Sequence, residues 1–266
     1  MASRRGRVAA SLIDNQIIVC GGSDGHKELN TGEFIDLTST QKSSTIKELP
    51  AAVVHAGKSM LPFKSISILS MFYSILFIAM CNDKHFLYLI GGLEGDKCKN
   101  ECYRYDPRSN EWNSLPSMSQ ERSQAAAVYF DKKLYVFGGS SLSRCLSSCE
   151  IFNLTTKQWN FGPAMKENRR GCGAIVYHDK VFVVGGSNGV TSLVSVEIFD
   201  LKSNEWLTNI NGLTHRLNIP RIGLGLGICT DRLYAIGGFD GRHFLKSIEI
   251  YDETSQQWFL NNSNPQ

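Results

Sequence analysis

Residues 237–258 read GGFDGRHFLKSIEIYDETSQQW and hold three elements of a unit that recurs along the chain. A Gly-Gly pair opens the stretch, an aromatic residue followed by Asp lies in its middle, and Trp258 closes it 21 residues after the first glycine. The other tryptophans, Trp112, Trp159 and Trp206, each follow a first glycine by the same 21 residues. A fixed period of this kind indicates a repeat protein.

Five Gly-Gly pairs mark the repeats, and successive first glycines are 70, 47, 47 and 52 residues apart. The first pair is followed by Lys42 where a Trp would stand, so the sequence indicates four clean copies and one degraded copy. A unit of about 47 residues with strand-like content is too long for a leucine-rich or ankyrin repeat. The pairs are Gly21-Gly22, Gly91-Gly92, Gly138-Gly139, Gly185-Gly186 and Gly237-Gly238.

Each unit is predicted to contain four strands. A short apolar run such as LYVF or VFVV enters each Gly-Gly and is typical of a buried strand. The glycines allow positive φ and the close approach of a neighbouring element. An aromatic strand, turn formers such as DLKSNE and the Trp strand follow, which indicates a hairpin. A strand of small residues precedes the apolar run, and an arginine stands 16 residues before the first glycine in most units.

This order of strands resembles the kelch repeat, which folds as one blade of a β-propeller. The motifs that carry the resemblance are the apolar run into Gly-Gly, the aromatic followed by Asp or Asn, and the Trp seven residues after that aromatic. The repeats look most like those of BTB-kelch proteins, among them the relative that binds the influenza non-structural protein. The resemblance implies an all-β fold.

The kelch resemblance also implies the organisation of the chain. We expect a single propeller over residues 1–266 with five recognisable four-stranded blades, either complete or truncated from six. A chain of this length can bury a large core as one all-β domain. The blades are expected at about 1–48, 49–117, 118–165, 166–213 and 214–262.

An atypical hydrophobic insertion at about 60–82 lengthens the first interval. Its uncharged core of 16 residues, 66–81, is shorter than the eighteen or more residues of a membrane span, so no membrane partner is predicted. Ile75 falls where the second unit should have its arginine. We therefore expect the insertion to damage the first strand of the second blade, or to extend that strand as a long hydrophobic loop.

The composition is that of a globular chain, with 42% hydrophobic and 20% charged residues. A net charge of +3 is too small to favour nucleic acid or an anionic membrane as a partner. The first residues, MASRRGR, lack the apolar stretch of a signal peptide. A cytoplasmic location is expected, with association with the cytoskeleton as an alternative.

Metal and catalytic sites are not predicted. Cys98 with Cys102 and Cys145 with Cys149 recur at the same offsets, but residues four apart in a strand lie roughly 13 Å apart, too far for two ligands of one zinc ion. The six histidines show no metal spacing, and no nucleophile elbow, P-loop or dinucleotide motif accompanies the glycines. We predict no cofactor, no metal and no catalytic residue.

Partner binding is predicted for the loops, because the strands serve as a scaffold. The arginines before the small-residue strands would suit an acidic, degron-like peptide through paired hydrogen bonds. Alternatively, each arginine pairs with an Asp of a neighbouring blade and is structural. This first set of candidates is Arg5, Arg122, Arg169, Arg170 and Arg221.

The loops after Gly-Gly form the second set of candidates, because they differ between repeats. Their Asp-Gly and Asn-Gly pairs are also typical of turns, so some of these residues have a structural alternative. The set is Asp24, His26, Asp96, Arg144, Asn188, Asp240, Arg242 and His243.

Three classes of function remain open. The resemblance implies a non-catalytic protein-interaction module, similar to the substrate-recognition propeller of a cullin-based ubiquitin ligase adaptor. Such adaptors engage the cullin through BTB and BACK regions, so a cullin is a partner only if an upstream BTB region exists. An actin-binding cytoskeletal kelch protein is the alternative, and a copper-oxidase-like propeller enzyme is the third class.

Overall fold

The computed structural model describes residues 9–13, 16–20, 31–36, 44–46, 79–94, 97–142, 144–207 and 215–261. Within these ranges the regular elements are β-strands, and they form five four-stranded antiparallel sheets and one two-stranded hairpin. No helix in the described ranges is long and apolar enough to cross a membrane. The chain divides into two compact units, Met1–Ser123 and Gln124–Gln266.

The unit Met1–Ser123 contains two sheets whose strands follow one another in chain order. The first sheet comprises β1 (Ala9–Ile13), β2 (Gln16–Cys20), β3 (Gly32–Asp36) and β4 (Ser44–Ile46). The second sheet comprises β5 (Ala79–Asn82), β6 (Leu87–Glu94), β7 (Lys97–Asp106) and β8 (Glu111–Leu115).

Strand β5 corrects one expectation about the hydrophobic insertion. The last residues of the apolar stretch form this strand, and Ala79 pairs with Ile90 while Asn82 pairs with Leu87. Ala79 and Cys81 alternate into the interior, so apolar residues at this end of the insertion serve as core. The second sheet therefore has its first strand, and the expectation of a damaged strand is wrong. The rest of the insertion, 60–78, lies outside the described residues.

The unit Gln124–Gln266 contains three sheets and the two-stranded hairpin. The third sheet comprises β9 (Ala126–Phe130), β10 (Lys133–Phe137), β13 (Cys149–Asn153) and β14 (Gln158–Gly162), and the hairpin comprises β11 (Ser140–Ser141) and β12 (Arg144–Cys145). The fourth sheet comprises β15 (Gly173–Tyr177), β16 (Lys180–Val184), β17 (Val196–Asp200) and β18 (Glu205–Trp206). The fifth sheet comprises β19 (Gly225–Cys229), β20 (Arg232–Ile236), β21 (Ile248–Asp252) and β22 (Gln257–Leu260).

Strand β16 shows why its sequence is apolar throughout. Val181 and Val183 pack against the third sheet, where Phe137 is fully buried. Phe182 and Val184 point the other way and pack against the fifth sheet. A strand that is covered on both faces needs a continuous apolar run rather than an alternating one. The VFVV sequence is thus the consequence of sheets stacked face to face.

The aromatic and Trp positions of each repeat lie directly opposite one another in a hairpin. Phe199 pairs with Trp206 across β17 and β18, and their ring centroids are 5.1 Å apart. The seven-residue spacing therefore places both rings on one face of the sheet, and the predicted hairpin is confirmed. The same pairing occurs for Tyr105 with Trp112, Phe152 with Trp159, and Tyr251 with Trp258.

The four Gly-Gly pairs that the structure describes have the positive φ that the sequence predicted. Gly138 and Gly185 have φ of 60° and 61°, a region that L side chains rarely adopt. A Cβ at Gly138 would overlap the carbonyl oxygen of Arg169, and a Cβ at Gly185 would overlap that of Arg221. The same left-handed region is occupied by Gly91, Gly92, Gly139, Gly186, Gly237 and Gly238.

Candidate functional site

The repeated arginines Arg122, Arg169 and Arg221 are buried rather than presented to a ligand. Arg169 has no exposed surface, and its Nε and Nη2 donate to Oε1 of Glu197 at 3.1 and 3.0 Å. Its Nη1 donates to the carbonyl oxygens of Gly185 and Ser195, both at 2.9 Å. Its Nη2 also reaches Glu167 at 3.0 Å. The guanidinium group is thus held by partners within the protein.

Arg221 repeats this arrangement in the fifth sheet. Its Nε donates to Oε1 of Glu249 at 3.0 Å, and the side chains of both residues are fully buried. Its Nη1 donates to the carbonyl oxygens of Gly237 at 2.7 Å and Ser247 at 3.0 Å. A buried charge requires a close partner and filled hydrogen bonds, and both conditions are met here.

Each of these arginines also joins two sheets. The carbonyl oxygen of Arg169 accepts the amide of Gly139 at 2.7 Å, whereas its side chain binds Glu197 of the fourth sheet. The carbonyl oxygen of Arg221 accepts the amide of Gly186 at 2.7 Å, and its side chain binds the fifth sheet. The main-chain carbonyl of each arginine therefore hydrogen-bonds to the preceding sheet, and its side chain hydrogen-bonds to the following sheet.

The prediction of ligand contact is wrong for the fully buried arginines. Arg122, Arg169 and Arg221 have 0% exposure, so a ligand in solution cannot reach their guanidinium groups. The alternative, in which each arginine is structural, agrees with this burial. The partner that it named was wrong, because Arg169 and Arg221 bind a Glu of the following sheet rather than an Asp. Arg170 is half-buried and stays a candidate.

A spacing signal in the sequence would have revealed the partner. Arg169 precedes Glu197 by 28 residues, and Arg221 precedes Glu249 by the same distance. The same spacing relates Arg5 to Glu33 and Arg122 to Glu150. The second repeat has Ile75 and Tyr103 at these two positions, so it lacks both members of the pair. A joint loss of this kind indicates that the two residues act on each other.

The loops after Gly-Gly in the fourth and fifth sheets form short hairpins with fixed backbones. In the fourth sheet, Oδ1 of Asn188 accepts the amides of Val190 and Thr191, both at 2.9 Å. In the fifth sheet, Oδ1 of Asp240 accepts the amides of Arg242 at 2.6 Å and His243 at 2.7 Å. These bonds, that of His243 first, lower the pKa of the Asp240 carboxyl. Asn188 and Asp240 therefore act as turn formers, as the alternative for them stated.

The three hairpins of the unit Gln124–Gln266 lie side by side. A Cβ at Gly189, in the fourth hairpin, would be 3.3 Å from Sγ of Cys145 in the hairpin of the third sheet. A Cβ at Gly241, in the fifth hairpin, would be 3.7 Å from Oγ of Ser192 in the fourth. We call this row of residues 140–142, 144–145, 187–192 and 239–244 the hairpin row.

The hairpin row exposes large apolar side chains. Leu142 is 77% exposed, Val190 is 90% exposed and Phe244 is 75% exposed. These residues are single apolar positions in otherwise polar loops, and no periodicity in the sequence distinguishes them. Exposed apolar side chains on three neighbouring hairpins are typical of an interaction surface. The sequence interpretation missed these residues.

Cationic side chains lie on the same hairpins. Arg144 and Arg242 are exposed on the third and fifth hairpins, and His243 is exposed beside Arg242. Arg170 pairs through its main chain with Ser187 at the base of the fourth hairpin. The structure thus brings Arg144, Arg170, Asn188, Asp240, Arg242 and His243 to one row. The candidates Arg5, Asp24, His26 and Asp96, and the pair Gly21-Gly22, lie outside the described residues.

The recurring cysteines make separate contacts. Sγ of Cys98 lies 3.4 Å from Oγ of Ser123, and Sγ of Cys102 lies 3.5 Å from the carbonyl oxygen of Asn100. In the described ranges, no group of three His, Cys, Asp or Glu residues is arranged to hold a metal ion. The free thiols are Cys81, Cys98, Cys102, Cys145, Cys149, Cys172 and Cys229.

Burial should control the reactivity of these thiols. Desolvation raises the pKa of buried Cys172 to about 11, whereas Cys229 is exposed. Since the thiolate is the nucleophile, we expect iodoacetamide at pH 8 to alkylate Cys229 at least tenfold faster than Cys172 in the folded protein. Peptide mass spectrometry measures both rates. Equal rates before denaturation would contradict the placement of Cys172, and denatured protein provides the control.

Comparison with known proteins identifies the family. A model described as the KLHDC2/KLHL20/DRC7 kelch-repeats domain matches residues 76–238, and a kelch motif model matches residues 4–50 and 220–259. The chain belongs to the kelch-repeat family. The five sheets of this kelch chain are therefore propeller blades, and its repeats place it among protein-interaction propellers.

The curated relatives match over a short stretch. This kelch chain is 38% identical to mouse Kelch-like protein 22 over 58 residues, which is 21% of this chain and 9% of the relative. It is 43% identical to human Kelch-like protein 22 over 49 residues, 17% of this chain and 7% of the relative. The matched stretch thus spans less than a tenth of the relatives' length.

Proposed function

We propose that this kelch chain binds a client protein through the hairpin row, as the substrate-recognition part of a cullin-based ubiquitin ligase adaptor. The observation that carries the binding proposal is the exposure of Leu142, Val190 and Phe244 on three adjacent hairpins. The adaptor role is supported by the similarity to Kelch-like protein 22, and it concerns a longer protein with an upstream cullin-binding region. A cytoplasmic location forms part of the proposal.

The hairpin row has the energetic features of a binding surface. Burial of one large apolar side chain stabilises a complex by roughly 1.5–3 kcal/mol. The side-chain hydrogen bonds of Asn188 and Asp240 to the loop amides fix the loop backbones before binding. Less conformational entropy is therefore lost when a ligand docks. A few apolar anchors within a polar rim are sufficient for a specific interface.

The charges of the rim define the kind of client. Arg144 and Arg242 supply guanidinium groups on the hairpins that carry Leu142 and Phe244, and Arg170 lies at the base of the fourth hairpin. The carboxyl of Asp240 is occupied by its own turn. Guanidinium groups bind carboxylates through paired, charge-assisted hydrogen bonds. We therefore propose an acidic peptide segment that also carries apolar side chains. No catalytic step is needed for this role.

The binding proposal is tested with a loop variant and a matched surface variant. The loop variant carries Leu142→Ser, Val190→Ser and Phe244→Ser, and the control carries Phe161→Ser and Phe259→Ser on the exposed faces of β14 and β22. Partners are found by proximity labelling with the unmodified chain, and their affinity is then measured with purified proteins. We expect the loop variant to lose at least about a hundredfold in affinity, since anchor truncations cost about 1 kcal/mol or more each.

Two outcomes would contradict the proposal. One is a loop variant that binds as well as the unmodified chain, and the other is a control variant that loses affinity equally. Co-sedimentation with filamentous actin tests the alternative partner in the same experiment. Co-sedimentation that the loop variant retains would favour an actin-binding kelch protein instead.

A further inference from the structure

His178 lies in the β15–β16 turn of the fourth blade and connects it to the fifth blade. Its partners there lie in the β19–β20 and β21–β22 turns. Its Nε2 is 3.0 Å from Oδ1 of Asp231, in the turn between β19 and β20. Its Nδ1 is 3.1 Å from Oε1 of Glu253, in the turn after β21. One imidazole ring of the fourth blade therefore bridges two carboxylates of the fifth.

A neighbouring tyrosine fixes the imidazole in this position. The ring of Tyr177 stacks on that of His178 with centroids 4.0 Å apart and an angle of 21° between planes. The hydroxyl of Tyr177 donates to the carbonyl oxygen of Asp231 at 3.0 Å. The fifth blade is thus gripped by two successive residues of the fourth, and the histidine enters the bridge in a defined orientation.

The number of protons on the ring decides whether the bridge is complete. An ionised carboxylate only accepts hydrogen bonds, and a neutral imidazole has one N–H to donate. With one carboxylate at each nitrogen, the neutral ring satisfies one of them and presents a lone pair to the other. Only the imidazolium donates to both Asp231 and Glu253.

The other titratable groups at this end have separate contacts. Lys202 pairs with Asp179 at 2.8 Å, and Asp252 accepts the amide of Ser255 in its own turn at 2.6 Å. The adjoining cavity of about 130 Å³ lies between the two blades. Charged or titratable groups around it, besides those of the bridge, are Lys180, His215 and Tyr251, and Arg232 follows Asp231.

We propose that His178 is a proton-operated clamp between the fourth and fifth blades, closed while the ring is an imidazolium and loosened when it loses a proton. The inference stands on the two carboxylates, the stacked tyrosine and the connection between turns of different blades. It is independent of the hairpin row, since the β15–β16, β19–β20 and β21–β22 turns lie outside that row.

The direction of the pH dependence follows from linkage. Hydrogen bonds to Glu253 and then Asp231 hold the pKa of His178 above its ordinary value. A group whose pKa is raised by folding contributes its full stability below the unfolded pKa of about 6.5. That contribution is lost as the pH rises through the higher folded-state value. The clamp therefore weakens as the pH rises through this folded-state pKa.

Titration and stability test the clamp together. In the full chain, the ring of His178 is followed by NMR from pH 5 to 9 and assigned by its absence in His178→Gln. We expect its midpoint to lie above that of a free histidine and to fall in the Asp231→Asn/Glu253→Gln double variant. Urea unfolding gives the stability at pH 6 and at pH 8.5. The stability lost between these two pH values should be larger for the unmodified chain than for His178→Gln.

A matched variant separates the clamp from general effects of pH. His85→Gln removes another exposed histidine and should leave the pH dependence of unfolding unchanged. A midpoint for His178 at or below the free value would overturn the proposal. An unchanged pH dependence in His178→Gln would overturn it as well, even if that variant were less stable at every pH.

Discussion

Replacement of Arg221 by methionine is expected to lower the free energy of unfolding by about 3–5 kcal/mol, because Glu249 would be left buried without its partner. The arginine also fills hydrogen bonds to the carbonyl oxygens of Gly237 and Ser247, which methionine cannot supply. Arg221→Lys should recover little of the loss, since an ammonium group lacks the planar fork that spans these acceptors. Urea unfolding, monitored by fluorescence, measures the change.

A double variant separates two effects of the substitution, the loss of the charge that pairs with Glu249 and the loss of side-chain volume at Arg221. Arg221→Met combined with Glu249→Leu removes both charges, and a buried pair replaced by apolar residues is often neutral. We expect this double variant to be more stable than Arg221→Met alone. Arg242→Met, on the exposed hairpin, is the control and should change stability by less than about 0.5 kcal/mol. A loss below about 1 kcal/mol for Arg221→Met would show that the pair does not hold the blade.

Truncation of Trp258 to alanine is the second substitution with a large expected effect. Trp258 is buried in the core between the fourth and fifth blades, where its ring lies 5.3 Å from that of Tyr251. Removing a large buried aromatic side chain costs about 3–5 kcal/mol through lost burial and the cavity that remains. Differential scanning calorimetry should show a correspondingly lower Tm.

The neighbouring residue provides the comparison for this truncation. Phe259 follows Trp258 in β22 but is 51% exposed, so Phe259→Ala should cost far less. Trp159 and Trp206 are only half-buried, and their truncation is expected to fall between these two limits. Equal effects for Trp258 and Phe259 would contradict the inward orientation of the tryptophan.

The sequence was sufficient for the repeat and the strands because their signals recur in phase. Gly-Gly followed by Trp at a constant distance reflects geometry that each blade must reproduce, namely positive φ at Gly138 and a ring pair such as Phe199 with Trp206. Strand β5 was misjudged because apolar residues of the insertion continue directly into it, so no change of composition marks where the strand begins.

The binding residues were harder to predict for a physical reason. A repeated arginine satisfies the same pattern whether it binds a ligand or a buried glutamate, and only its partner separates the two. Glu197 and Glu249 lie 28 residues downstream, in another strand of the repeat, so no local motif joins them to the arginines. The exposed residues Leu142, Val190 and Phe244 follow no repeated sequence pattern, because a surface selected for one partner need not be the same in every blade.

The double role of Arg221 has a consequence for hydrogen exchange. The amide of Gly186 belongs to the fourth blade, but its acceptor is the carbonyl oxygen of Arg221, whose side chain is anchored in the fifth. That amide can exchange with solvent when either blade opens. Its protection therefore follows the less stable of the two neighbours, and one amide per junction would show in which order the blades unfold.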